Sequence, residues 1–246
     1  MAFNSIEFLI FLPTVYLLYR LLNLRLQNLM LLAASYLFYG WWDERFLFLI
    51  VLSTAIDFCS GIMIDEGTLS KRNRIKASAW TLISAIAFLG INWDAAEIAQ
   101  KIQHPIGMQY CGGVLLLVIA GNLLYPLLAN LPEARRRGVF LFISMAANLG
   151  LLAFFKYCNF FIDSAEGILT GMGMHAADFR LNIVLPVGIS FYTFQTMSYT
   201  IDIYRRQLDP TESLLDFSIY VAFFPQLVAG PIERARRLLP QIETLS

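Results

Sequence analysis

Two apolar runs in this chain carry residues that a plain membrane anchor would lack. The first, Leu185 to Gln195, reads Leu-Pro-Val-Gly-Ile-Ser-Phe-Tyr-Thr-Phe-Gln and runs on into a polar cluster of Gln195, Thr196, Ser198, Tyr199, Thr200 and Asp202. The second, Tyr220 to Glu233, contains Pro225, Gln226, Gly230 and Pro231. Polar side chains are costly in hydrocarbon, and a broken helix frees backbone groups that protein or a water-filled cavity must satisfy. Together the two runs predict a tunnel lined by Gln195, Thr196, Ser198, Tyr199, Asp202, Pro225, Gln226 and Gly230. Taken singly, each has a plainer role: Ser and Thr bond back to their own helix, and Gln195 bonds to a neighbouring one. Arg234, Arg236 and Arg237 follow directly. They would meet the phosphates of a nucleotide-linked ligand at the mouth of this lining, or else act as a topology signal and contact for anionic lipid.

Other chemistries find no footing. The chain has no Gly-rich phosphate loop, no Ser-centred nucleophile elbow and no metal-ligand spacing. Cys59, Cys111 and Cys158 are far apart and form no metal or redox pair, so they read as small buried residues within lipid. Asp57 lies inside an apolar run and needs a partner that the sequence does not name. Lys156, near the end of another run, reads as a side chain snorkelling to the interface.

The elements that must position these residues are membrane helices. The 246 residues are 58% hydrophobic and only 15% charged, outside the usual balance of a soluble domain. The formal net charge is zero, and no basic block with interleaved aromatics tracks a phosphate backbone, which excludes nucleic acid. Apolar runs at Ile6–Leu22, Leu26–Tyr39, Phe46–Ile64, Ala77–Trp93, Cys111–Leu131, Val139–Phe155, Ile183–Tyr204 and Leu214–Ile232 predict an all-α, polytopic transmembrane bundle. The N-terminus lacks a basic n-region and a cleavage site, so the first run is expected to remain as a helix. The second run is short, and Tyr36, Tyr39, Trp41 and Trp42 are expected to extend it as an interfacial aromatic belt.

With the N-terminus outside, the inner loops hold eleven Lys and Arg residues against four in the outer loops, Arg45, Lys101, Lys156 and Arg180. A full crossing of Leu214–Ile232 would strand Arg234, Arg236 and Arg237 outside. A re-entrant hairpin, broken at Pro225, Gly230 and Pro231, avoids this and gives seven crossings plus one re-entrant segment. The stretches Asp94–Gln109 and Asp163–Asn182 read as short surface loops, and the whole as one membrane domain.

Pro186-Val187-Gly188-Ile189-Ser190-Phe191-Tyr192-Thr193-Phe194-Gln195, followed by Phe223-Phe224-Pro225-Gln226-Leu227-Val228-Ala229-Gly230-Pro231-Ile232, resembles the membrane-bound O-acyltransferase family. The nearest branch is that of bacterial alginate O-acetyltransferases and D-alanyl-teichoic-acid transfer proteins. Leu149 to Phe161 and Phe3 to Phe8 extend the resemblance, while 77–131 looks like an inserted helical pair. The resemblance implies an enzyme of the bacterial inner membrane. It would move an acetyl or similar acyl group from a cytoplasmic donor, acetyl-CoA or an acyl-carrier thioester, to an extracytoplasmic polysaccharide such as alginate or to an acyl-accepting protein. It implies no bound cofactor, and its general base is a histidine in a Trp-His segment. The two histidines here, His104 and His175, match no such motif, so no catalytic residue is assigned within the chain. The chain therefore reads as the N-terminal part of such an enzyme. The alternative is a non-catalytic membrane carrier or scaffold fragment.

Overall fold

The computed structural model describes residues 5–93, 95, 105–172, 184–230 and 233–244. In these the chain is helical: α1 (Ile6–Leu21), α2 (Leu24–Gly40), α3 (Arg45–Asp65), α4 (Lys71–Ala85) with a π-helical turn at Ile86–Gly90, α5 (Pro105–Ala129), α6 (Glu133–Gly171), α7 (Ile189–Tyr204), α8 (Leu214–Ala222), α9 (Phe224–Ala229) and α10 (Ala235–Thr244). His104, His175, Arg180 and Pro231 lie outside the described residues. Among those described, α3, α5 and α6 are long and apolar enough to cross a membrane. The chain is a multi-pass helical membrane protein.

Side-chain caps begin several of the helices. Ser5 accepts from Phe8 N, Asn23 from Leu26 N, Ser70 from Asn73 N and Ser213 from Asp216 N, each supplying an acceptor to a donor that the first turn leaves free. α7 instead starts after Gly188, whose φ of 74° is open to glycine and strained for other residues. Gly67, at φ 77° just beyond α3, is the second such position, and the Arg136 guanidinium occupies the space a Cβ would need there.

α3 is the hub, packed against α4, α6, α7 and α8 and buried along almost its whole length. Gly61 allows α7 to approach closely, since a Cβ there would lie 2.8 Å from the Tyr199 ring. α5 is the opposite case, with Leu116, Leu123 and Leu127 turned outward from a helix that is apolar all round, as a lipid-facing helix requires. At the end of the bundle where α3 and α7 stop, Arg137 is buried. It donates through Nη1 to Ile64 O (3.0 Å) and through Nη2 to Tyr204 O (2.7 Å) and Ile203 O (3.4 Å). One guanidinium thus caps two helix C-termini, where free carbonyls and the helix dipole both favour a cation.

Several boundaries differ from the sequence expectation. The run Val139–Phe155 lies within a 39-residue helix, about 58 Å long and nearly twice the hydrocarbon core. Asp163–Gly171, expected as loop, continues that helix, with Ser164 and Thr170 bonded back to Phe160 O and Glu166 O. Likewise Pro105–Gln109 is already helix. Of the expected aromatic belt, Trp41 and Trp42 are exposed, but Tyr39 is buried in the core and Tyr36 packs on Trp80, because they fall on the inward face of α2. Beyond them Asp43 grips Arg45 at 2.6 Å. Burial pushes the Asp43 carboxyl up, but the Arg45 hydrogen bonds outweigh this and hold it below its usual range. The three cysteines are free and half-buried.

Candidate functional site

The run Leu214–Ile232 is not one helix. The Pro225 ring has no N–H and would collide with the carbonyl of Val221 in a continuous helix, so α8 stops at Ala222, and Phe223 bends the chain at ψ 105°. α9 in turn ends at Gly230, which is extended ahead of Pro231. The break therefore falls slightly earlier than the prolines themselves.

The freed backbone groups find partners. Gln195 Nε2 donates to Tyr220 O (2.6 Å), and Tyr220 Oη donates to Gln195 O (3.2 Å), so the two residues exchange side chain for main chain across α7 and α8. Phe224 N donates to Ser35 Oγ of α2 (3.3 Å). Gln226 is buried beside Gln195, with its Nε2 unpaired, and a Cβ on Gly230 would lie 2.9 Å from Gln226 Cα. The unpaired groups continue with Tyr192 Oη and Thr193 Oγ1 on α7 and Tyr39 Oη on α2, all buried. Such unmet hydrogen-bonding capacity in a membrane bundle is what a polar ligand or ordered water would satisfy.

A cavity of about 360 Å³ opens beside the break, walled by Leu12, Tyr16, Tyr19, Phe223, Pro225 and Gln241, among others. α8 and α10 flank it as an antiparallel pair. Asn28 of α2 donates both to Asp216 Oδ1 at the start of α8 (2.9 Å) and to Ile242 O near the end of α10 (3.4 Å), so the start of one arm and the end of the other lie together.

The predicted site residues divide between four settings. Gln195, Pro225, Gln226 and Gly230 gather at the break. Tyr199 is in the core, its ring 4.4 Å from Phe217 and its Oη accepting from Thr211 N, while Ser198 bonds back to Gln195 O. Asp202 is buried with Oδ2 unpaired. Arg234, Arg236 and Arg237 are exposed along α10, whose opposite face buries Ala235, Leu239 and Ile242.

Thr196 belongs elsewhere, with Asp57. The Asp57 carboxylate, 0% exposed, accepts from Ser144 Oγ (2.5 Å) and Asn148 Nδ2 (2.8 Å) of α6. Thr196 donates to Asn148 Oδ1, and Thr200 meets Ser144 Oγ, which brings α7 into the same network. Ser144 and Asn148 are residues the sequence reading missed. The signal was available, because Arg137, Phe140, Ser144, Asn148 and Leu152 repeat every three or four positions and form one stripe. Asp57→Leu strands two donors and is expected to cost about 2 kcal/mol, the upper range for interhelical hydrogen bonds in membranes. Asp57→Asn retains one acceptor and should lose less than half as much in SDS-induced unfolding. Equal losses would show that the hydrogen bonds are not what holds the three helices.

A polytopic helical bundle with a proline-broken segment held against a polar helix is the class these features define. By sequence, the chain is similar to probable alginate O-acetylases. It is 33% identical over 242 residues to the probable alginate O-acetylase AlgI of Pseudomonas aeruginosa, covering 98% of this chain and 34% of that protein. With the Azotobacter vinelandii AlgI the identity is 32%, over 98% of this chain and 36% of the relative. A peptidoglycan O-acetyltransferase of Helicobacter pylori is 32% identical over 136 residues, 46% of this chain and 25% of that protein. The chain thus spans about a third of the length of the AlgI relatives. No protein-family profile matches it, and no solved structure is similar.

Proposed function

We propose that this bundle forms part of a membrane-embedded O-acyltransferase that moves an acetyl group from a cytoplasmic thioester donor, such as acetyl-CoA, to an extracytoplasmic polysaccharide of the alginate type. The observation that carries the proposal is the similarity to AlgI proteins over 98% of the chain. The broken segment is a second support, since its unpaired buried groups and adjoining cavity suit passage of a polar reactant. In this reading Gln195, Pro225, Gln226 and Gly230 border the passage, and Thr196, Ser198, Tyr199 and Asp202 stabilise the helix that forms its wall. Arg234, Arg236 and Arg237 face the donor's phosphates. Neither His104 nor His175 falls in an apolar run, so these residues bind and orient rather than move the proton.

The topology that fits this role has the N-terminus outside, seven crossings and α8–α10 as a re-entrant hairpin within one membrane domain, with 77–131 as an inserted pair. Asn28 bonding to both arms of the hairpin supports it. An impermeant thiol reagent that labelled a cysteine placed after Arg237 from outside would refute it.

The activity is tested with inner-membrane vesicles carrying the protein in its natural reading frame, supplied with 14C-acetyl-CoA and alginate. Acetyl label in the polysaccharide is expected. Correct insertion without transfer from acetyl-CoA or an acyl-carrier thioester would favour the scaffold reading.

A further inference from the structure

A second cavity, of about 240 Å³, lies between α3, α4, α5 and α6, remote from the broken segment. Its walls are apolar for most of their length, with Leu52, Ile56, Leu117 and Ile143 among them, and Arg74 is the one charged residue of the lining. Asn122 and Thr81 of the lining have protein partners: Asn122 Nδ2 donates to Ser78 Oγ (3.1 Å) and Val118 O (2.9 Å), and Thr81 Oγ1 to Ala77 O (2.9 Å). Arg74 differs. Its guanidinium lies 4.3 Å from the centroid of the Tyr125 ring, and its enclosed Nε has no hydrogen-bond partner. The ring is itself fixed, because Tyr125 Oη both accepts from Leu69 N and donates to Leu69 O.

We propose that this groove binds one anionic phospholipid, an acyl chain lying between α3 and α5 and its phosphate meeting Arg74. α3 and α5 are both of membrane-crossing length, so the groove lies at a depth where the surrounding medium is acyl chain. An apolar groove alone does not select a lipid, because a tail gains little on leaving one hydrocarbon environment for another. Selection comes from the cation at one end, which meets no carboxylate among the described residues and is held against an aromatic face. The site is independent of the acyl-transfer reading and uses none of the residues at the break.

The test is native mass spectrometry of the 246-residue chain released from nanodiscs of equimolar palmitoyl-oleoyl phosphatidylglycerol and phosphatidylcholine. One retained phosphatidylglycerol per chain is expected, preferred about fivefold, as one interfacial cation would give. Arg74→Gln should abolish the preference while leaving the unfolding midpoint in place. Gly121→Leu should remove bound lipid of both kinds: Gly121 lines the groove, a Cβ there meets nothing within 4 Å, and leucine favours the helix. Equal retention of the two lipids by the wild type, or undiminished retention by Gly121→Leu, would overturn the proposal. Competition by glycerol 3-phosphate as effective as by the lipid would also overturn it, as would disulfide cross-linking between copies through Gly121→Cys, which would put a second chain in the groove.

Discussion

Within a full-length acyltransferase, the Pro225→Leu, Gly230→Leu double variant is expected to lose acyl transfer by about a hundredfold or more while still inserting into vesicles, the scale on which a displacement of about 1 Å at a site acts. Leucine at 225 restores an N–H and removes the ring that excludes the Val221 carbonyl, so α8 can run through Phe223. Leucine at 230 places a Cβ 2.9 Å from Gln226 Cα and forces the backbone there to move. A straightened segment withdraws Tyr220 O from Gln195 and Phe224 N from Ser35, and closes the cavity that Pro225 borders. Pro225→Leu alone should lose less, because the close approach at Gly230 still holds the second bend. Transfer at the wild-type rate by the double variant would remove the break from the mechanism. Loss of insertion would instead assign it to folding.

The largest stability effect is expected at Arg137. Arg137→Leu removes the donor to three carbonyls at the ends of α3 and α7, those of Ile64 and Ile203 buried and that of Tyr204 partly so. Each buried acceptor left unmet costs about 1–3 kcal/mol, and the combined loss should be about 3–5 kcal/mol. Arg137→Lys keeps the charge but not the planar fork that reaches two helix ends at once, and should recover about half. Unfolding of the detergent-solubilised protein by SDS measures both. A leucine variant within about 1 kcal/mol of wild type would mean that water, not the guanidinium, satisfies these ends.

Arg137 also shows where sequence reading stops. Counted as a loop charge it oriented the bundle, yet the same residue is buried in a double cap, and a count of charges does not separate the two roles. The apolar runs located the helices well, because hydropathy is a property of the segment itself. Helix ends depend on individual caps, so Ser70 and Ser213 start α4 and α8 outside the expected limits or at their edge. The break in Leu214–Ile232 was legible because proline acts on its own backbone. Partners for Asp57 were not, since they are 87 and 91 positions away, although the polar stripe of α6 was there to be read. Of the tunnel candidates, the four beside a proline or glycine break gather at one place. Ser198 bonds back to its own helix, whereas Thr196 and Thr200 also reach the Asp57 network across to α6.

Asn28 sets an order on synthesis. It lies in the second of the described helices, yet its partners are 188 and 214 residues further on, and Ser35 waits for Phe224 across 189. Neither contact can form until nearly all of the described chain is in the membrane, whereas α3 and α4 can pair as soon as they are made. The N-terminal pair of helices must therefore be inserted early and packed late. The segment that breaks the regularity of the described helices is also the one that ties their last elements to α2, and a slow, long-range step of folding belongs there.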